Sequence, residues 1–279
     1  MENIILSNEI IEEFRQSLLL EEKSTATIEK YTRDTRAFFN YTKEEIITKE
    51  MVINYKQYLI DQKYKIKSIN SMIVSVNHLL SYLRLNECKV KSIRIQKQIY
   101  CTEDKELTKD EYYRLLKASQ KKPKLKLIME TICSTGIRIS ELKYFTIDAI
   151  QKGEINVYCK AKIRSILIPK KLQKLLLKYA KQNHIESGQV FVTRNGTPVN
   201  RSNIWQQMKK LCKEANVQES KVFPHNLRKL FARTFYNIEK DIAKLADILG
   251  HSTIETTRIY IMSTGTEHRK KIEQLRLVV

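Results

Sequence analysis

Residues 225–260 read HNLRKLFARTFYNIEKDIAKLADILGHSTIETTRIY. His225 and Arg228 follow Pro224, which suits a helix start, and their i, i+3 spacing puts imidazole and guanidinium on one face. An apolar helical run then ends at Leu249-Gly250-His251, where the glycine is a C-terminal stop. Ser252 and Glu255 have capping-box spacing for one more helix, with Tyr260 two turns in. Side chains lean toward the helix N-terminus, so the Tyr260 hydroxyl is directed back toward His251. This half of the chain is therefore read as helices that gather two histidines, an arginine and a tyrosine.

Upstream, TGIRISEL (135–142) places Arg138 just after Gly136, in the first turn of a helix expected from Ile137 to Leu142. A cation there opposes the macrodipole at a local cost of about 0.3–1 kcal/mol. Departures from local consistency concentrate at functional sites. An arginine beside free backbone N–H groups suits a phosphate. A plain pairing with Glu141, three residues on, is the structural alternative.

The remaining pattern is mostly α. Four helices are expected in residues 1–90, the second capped by Ser24 or Thr25, the third by Thr48 and the fourth by Ser68. Lys30, Arg33 and Arg36 lie three apart on the second helix, as a solvent stripe able to meet phosphates. Residues 91–106 lack helical period and form a linker whose Arg94 and Lys97 are candidates to follow a DNA backbone. Residues 107–279 make the second domain. Thr108 and Glu111 form a capping box, and INVYCKAKIRSILIPK (155–170) is a β-hairpin with Lys160 and Lys162 at its turn. QVFVTRNGTPVN (189–200) is a short strand with an Asn-Gly turn. Asn200 or Ser202 caps a helix from Ile204 to Ala215, with Trp205, Met208, Leu211 and Cys212 inward. The fold class is mainly α with a small antiparallel β-sheet.

Charge narrows the partners. The 279 residues hold 51 Lys and Arg against 31 Asp and Glu, a net charge of +20. Residues 1–100 carry 16 basic and 13 acidic side chains, and the rest 35 and 18. Such a balance points to a polyanion, with an ordinary charged surface as the bland alternative. No apolar run reaches the ~18 residues of a membrane span, and the acidic start MENIILSNEIIEEF is no signal peptide, so a cytoplasmic protein without a membrane partner is expected. Cys88, Cys101, Cys133, Cys159 and Cys212 are dispersed and read as thiols, with neither a zinc site nor a disulfide frame.

Singly, each motif is weak. Together, the order Arg138, His225-x-x-Arg228, His251, Tyr260 resembles the phage-integrase family of tyrosine recombinases. TGIRISEL matches the family's first arginine motif. HNLRKLFART matches its histidine-arginine box, with Lys229 where many members have a second histidine. LGHSTIETTRIY matches its histidine-to-tyrosine box. The hairpin resembles the family's lysine hairpin, with Cys159-Lys160-Ala161 for the usual Gly-Lys-Gly. Lys160 is the better match and Lys162 the competitor. The likeness covers about 105–262 closely; the front bundle is similar in kind to the core-binding, SAM-like domain.

That resemblance implies an N-terminal helical bundle joined to an α+β catalytic domain, most like Xer-like and small mobile-element integrases, bacterial or phage-encoded. It implies that Tyr260 attacks a DNA phosphodiester to form a 3′-phosphotyrosine. Arg138 and Arg228 clamp the non-bridging oxygens, Lys160 protonates the leaving 5′-oxygen, His225 assists proton transfer, His251 holds the phosphate, and Glu141 supports Arg138. No metal, ATP or other cofactor is expected. The partner is a double-stranded recombination site, bound by a homotetramer on two duplexes, with a monomer allowed when DNA is absent. The tail, with Ile272, Leu275, Leu277 and Val278 beyond a hinge at Gly265, is expected to dock on a neighbouring subunit, with folding back in cis as the alternative. A type IB topoisomerase and a non-catalytic DNA-binding accessory protein are the competing readings, and Tyr236 is the competing nucleophile.

Overall fold

The structure, a computed structural model, describes residues 4–43, 45–96, 105–159, 162–193, 195–262 and 265–275. The chain divides into two compact units, Met1–Lys97 and Gln98–Val279.

In the first unit, α1 (Asn8–Leu20), α2 (Thr25–Thr42), α3 (Lys49–Asp61) and α4 (Ile66–Tyr82) bury one apolar face each. Phe14, Leu18, Phe38, Val52, Ile73, Val76, Leu79 and Leu80 have no exposed surface. The caps follow the sequence at Ser24, whose Oγ accepts from the Thr27 N–H, and at Thr48, whose Oγ1 accepts from Met51. They do not at α4. Its N-cap is Lys65, without a side-chain bond, and Ser68 lies inside the helix. The Ser68 and Ile69 N–H groups both donate to the Lys65 carbonyl (2.7 and 3.0 Å), and burial of Ile69 favours extending the helix over a serine cap.

The expected solvent stripe on α2 is also corrected. Asp34 is buried, and its carboxylate accepts from Lys30 Nζ (2.8 Å), Arg33 Nη2 (3.0 Å) and Ser75 Oγ (2.9 Å). Lys30 Nζ donates further to the Ser71 carbonyl (2.9 Å) and to Ser75 Oγ (2.8 Å), so it is turned inward. Arg33 and Arg36 remain exposed. After α4 the chain is strapped back onto it. Asn77 brackets Val90 and Asn70 brackets Ile93, each amide giving and taking one main-chain bond. Arg94 is exposed; Lys97 lies outside the described residues.

In the second unit, α5 (Lys109–Ala118) carries both bonds of the Thr108–Glu111 capping box. Next come α6 (Pro123–Thr135), a 3-10 turn (Ile139–Tyr144) and α7 (Ile147–Lys152). Strands β1 (Glu154–Cys159) and β2 (Lys162–Leu167) pair antiparallel, Glu154 opposite Leu167 and Cys159 opposite Lys162. Then follow α8 (Lys170–Gln182), α9 (Arg201–Lys209), α10 (Cys212–Ala215), α11 (Pro224–Glu239), α12 (Ile242–Leu249), α13 (Ile254–Ile261) and α14 (Gly265–Gln274). The core gathers α6, α8, the hairpin's inner face and α11, with Met129, Ile132, Leu176 and Leu227 fully enclosed.

Two expectations fail here. Residues 189–200 form isolated bridges, Thr146 with Gln189 and Val192 with Pro198, rather than a strand. The second bridge is flanked by the Thr193 N–H to the Thr197 carbonyl (2.7 Å) and by the Val199 N–H to the Phe191 carbonyl, which at 3.4 Å is too long to carry the ladder further. The helix expected over 204–215 breaks after Lys209, and Trp205 is 46% exposed. Ile204, Met208, Leu211, Cys212 and Ala215 form the inward stripe at i, i+4, i+7, i+8 and i+11. Trp205 sits one residue off that stripe. Cys88, Cys133 and Cys212 are free thiols; Cys101 lies outside the described residues, as does the side chain of Cys159. No helix among the described residues is long and apolar enough to cross a membrane.

Candidate active site

Gly136 ends α6 with φ 66°, and a Cβ there would fall 2.3 Å from Phe231 Cδ1 on α11. Only glycine lets the two helices approach so closely. The chain then turns extended at Arg138, the residue before the 3-10 turn, not inside a helical first turn as expected. The macrodipole conflict therefore does not arise. Instead Glu141 reaches back: one oxygen accepts the Arg138 N–H (2.7 Å) and the other accepts Nη1 (3.0 Å). Arg138 Nη2 donates to the Gly250 carbonyl (3.2 Å). The guanidinium is thus oriented, yet about a third of the side chain stays exposed.

Arg228, on the first turns of α11, is 1% exposed. Nη1 donates to the Gly136 carbonyl and Nη2 to the Leu249 carbonyl, both at 2.6 Å. These belong to the last turn of α12 and to the residue ending α6, where carbonyls lack intrahelical partners and the dipole is negative. Nη2 also lies 3.0 Å from His251 Nε2. Burial, then the nearby Arg138 charge, pulls the Arg228 pKa down to about 10. A buried guanidinium is thus held by neutral groups. Its hydrogen-bond partners among the described residues include no carboxylate.

His251 follows Gly250, whose φ of 63° ends α12, and its N–H donates to the Ala246 carbonyl (2.9 Å). The expected Ser252–Glu255 capping box is absent; Thr253 is the N-cap of α13, without a side-chain cap bond. The imidazole is fixed at both ends, Nε2 at Arg228 and Nδ1 at Thr257 Oγ1 (2.9 Å). Burial and then the Arg228, Arg138 and Arg164 charges lower its pKa to about 4. His225, on the first turn of α11, is exposed at the rim. Its pKa is also lowered, first by the protein packed around the ring and then by Lys229, Arg228 and Arg138.

Tyr260, on the last turn of α13, is 8% exposed. Its ring centroid lies 5.1 Å from that of His225 and 4.9 Å from that of His251, with the Arg228 guanidinium 6.0 Å away. Five residues spread over more than 120 positions of sequence, Arg138, His225, Arg228, His251 and Tyr260, thus converge on one place. Tyr236 is partly buried against the same apolar cluster that includes Tyr260, with Lys240 over its ring. Lys160 lies outside the described residues, and Lys162 is described only by its backbone pairing with Cys159.

Sequence reasoning missed Arg164. On β2 its side chain points with Ile166 and Ile168 to the buried face, where Nη2 pairs with Glu141 (2.6 Å) and Nη1 donates to the Leu249 carbonyl. Period-two alternation carried the signal: an arginine sat on the apolar face of RSILIP. Glu106, buried, pairs with Lys229 (3.0 Å) and Arg233 (3.4 Å), so the lysine in the second-histidine position has its own carboxylate. Cavities open on both sides of Arg138. One, about 520 Å3, is lined by His225, Arg228, Phe223 and Trp205; the other, about 830 Å3, by Glu141, Arg164, Gly250 and His251. Among the described residues no cluster of His, Cys, Asp or Glu is built to hold a metal ion.

Comparison with known proteins shows the family. The phage integrase family model matches residues 105–267, and the phage integrase N-terminal SAM-like domain matches residues 11–87. The chain belongs to the phage integrase family. It is a tyrosine-type site-specific recombinase. It is 30% identical to tyrosine recombinase XerA of Pyrococcus furiosus, over 98% of this chain and 96% of that one. It is 26% identical to tyrosine recombinase XerD of Listeria monocytogenes serotype 4b, over 91% and 93%. A crystal structure of XerA recombinase aligns over 98% of this chain and 99% of that one, with TM-score 0.55 and 25% identity. A lambda integrase tetramer bound to a Holliday junction shares the fold, with TM-score 0.74 and 17% identity over 93% and 78%.

Proposed function

We propose that this recombinase cleaves and rejoins double-stranded DNA at a specific site through a 3′-phosphotyrosine on Tyr260. The observation that carries the reading is the buried Arg228 guanidinium, held by two carbonyls and an imidazole beside the Tyr260 ring. Burying a charge with no carboxylate in direct contact is costly, and the nearest one, Glu141, acts on Arg228 only at a distance while pairing with Arg138 and Arg164. A phosphodiester entering between Arg138 and Arg228 supplies the missing anion, and the cavities flanking Arg138 leave room for the nucleotides on either side.

In the step proposed, the Tyr260 oxygen bonds to phosphorus and the 5′-oxygen leaves. The phenolic proton passes to His225, neutral at pH 7 because its pKa is lowered. Arg138 and Arg228 stabilise the charge growing on the non-bridging oxygens. His251 holds one of those oxygens, and Lys160 protonates the departing 5′-oxygen. Glu141 keeps Arg138 aimed. Rejoining reverses each transfer, and the phosphotyrosine conserves the ester's energy, so the reading invokes neither ATP nor a metal. Residues 1–90 are proposed as the core-binding domain, 91–106 as the linker and 107–279 as the catalytic domain with its tail.

Solved relatives support the assembly. Lambda integrase is described as a tetramer on a Holliday junction, and XerH is bound to its difH substrate. For this chain we infer a homotetramer on two duplexes, acting in the cytoplasm. Arg33, Arg36 and Arg94 remain candidates for DNA contact, with Lys97; Lys30 contributes through its bond to Asp34. Exposed Ile272 and Leu275 on and after α14 fit docking on a neighbouring subunit. The test is a nicked suicide duplex. Wild type forms a covalent adduct, and Tyr260→Phe binds the same duplex with no adduct. An adduct surviving in Tyr260→Phe refutes the assignment.

A further inference from the structure

Resting on the reading of His251 as the phosphate-holding histidine, we propose that Thr257 is a positioning residue that sets the tautomer of that ring. A guanidinium only donates hydrogen bonds. Arg228 Nη2, 3.0 Å from His251 Nε2, therefore donates to it, and Nε2 must carry a lone pair. In the neutral ring the proton then sits on Nδ1, where Thr257 Oγ1 accepts it at 2.9 Å. Which nitrogen of a histidine is free for work is set by the bond its other nitrogen makes.

Three further features single out Thr257. It is wholly enclosed, so its hydroxyl is not shared with bulk water. It lies three residues before Tyr260 on the eight-residue α13, so nearly one helical turn joins the histidine's support to the nucleophile. The imidazole ring lies 4.9 Å from the Tyr260 ring, so an error in its tilt is felt by the tyrosine.

The consequence is an exchange of partners. Without DNA, the Nε2 lone pair occupies an N–H of Arg228. An arriving phosphate oxygen takes over that N–H, and Nε2 is left facing the phosphate. One proton from solvent then adds to Nε2, which becomes a donor to the oxygen. The Nδ1–H bond to Thr257 is unbroken throughout. Valine at 257 keeps the shape but removes the acceptor, leaving the Nδ1 proton enclosed without a partner and favouring the opposite tautomer.

The test reads the ring directly. Protein labelled with 15N-histidine, with His251 assigned through His251→Gln, is measured by two-bond correlation NMR at pH 7.5 without DNA. In wild type and Thr257→Ser, His251 carries its proton on Nδ1. In Thr257→Val the proton moves wholly or partly to Nε2. Adduct formation on saturating suicide duplex then falls about 10–100-fold, the scale for losing a partner that orients a working histidine. Thr257→Ser stays within about threefold of wild type. A wild-type ring protonated on Nε2 overturns the proposal, as does a Thr257→Val protein with unchanged spectrum and rate. Thr257→Ala gives the same readouts should the valine variant not fold. The spectra need no DNA, so they stand or fall separately from Tyr260: a wrong nucleophile abolishes the adduct assay's meaning and leaves the tautomer intact.

Discussion

Two buried charges in this chain are held in opposite ways. In the first unit Asp34 is satisfied by Lys30, Arg33 and Ser75, so its carboxylate is fully answered by cations and a hydroxyl. In the second unit Arg228 is satisfied by the Gly136 and Leu249 carbonyls and by His251, none of them anionic. The first arrangement is closed and belongs to the packing of α2 on α4. The second leaves a positive charge in place and unspent. Both groups are hydrogen-bonded, although Arg228 Nε is buried without a partner; what separates the two burials is the charge of the partners.

The largest effect expected from breaking this contrast is at Arg228. Arg228→Gln lowers single-turnover adduct formation by about 10²–10³, the scale for removing one preorganised donor to a developing oxyanion. Stability falls by less. Freeing two buried carbonyls costs about 1–3 kcal/mol each, and relief from enclosing an unanswered charge offsets part of that. Denaturant midpoints beside adduct rates at saturating suicide duplex separate the two. Equal losses in both would make Arg228 another closed network.

Asp34→Ala is expected to show the reverse split. Removing the carboxylate strands Lys30 and Ser75 in the α2–α4 contact, but Lys30 keeps about a third of its side chain in water and Arg33 most of its own. The cost is therefore about 1–3 kcal/mol, below that of a fully enclosed pair. Adduct formation at saturating DNA stays within about threefold of wild type. A hundredfold slower adduct in a folded Asp34→Ala protein would dissolve the contrast.

The asymmetry between these regions explains what could be read in advance. His225-x-x-Arg228, Gly250-His251 and Tyr260 were legible because their chemistry depends on residue type at helical spacing, and a glycine stop is a local signal. The caps at Ser24, Thr48 and Thr108 were legible for the same reason. The Asp34 network was not: nothing near residue 34 announces Ser71 or Ser75, some 40 positions away. Arg164 and Trp205 each needed knowledge of which face is inward: nothing in the sequence reading singles out Arg164, and Trp205 lies one residue off the inward stripe. Arg138 was picked out for a conflict with a helix dipole that the extended backbone there removes. What remains to single it out is the motif TGIRISEL, with Glu141 three residues on as the partner of its guanidinium. Ser68 shows the limit of cap signals, since packing of Ile69 carried α4 one turn further back.

The smallest expected effect is a pH dependence confined to the open site. His251 is held down to about 4 by burial and by Arg228, Arg138, Arg164 and His225, against an ordinary 6.5. The unfolded chain takes up a proton near 6.5 and the folded one near 4. Between those values the unfolded state binds more protons, so stability rises with pH. The contribution is whole above about 6.5 and is lost as pH falls toward 4. The lowered pKa of His225 adds in the same direction. Urea midpoints at pH 7.5 and pH 5.0 should therefore differ more for wild type than for His251→Gln, which has no such proton to take up. Asp34→Ala should keep the full wild-type pH difference, since it leaves the arginine cluster around His251 untouched. If His251→Gln and wild type lose stability in parallel on acidification, the arginines are not pressing on that imidazole, and Arg228 is less unanswered than its neutral partners imply.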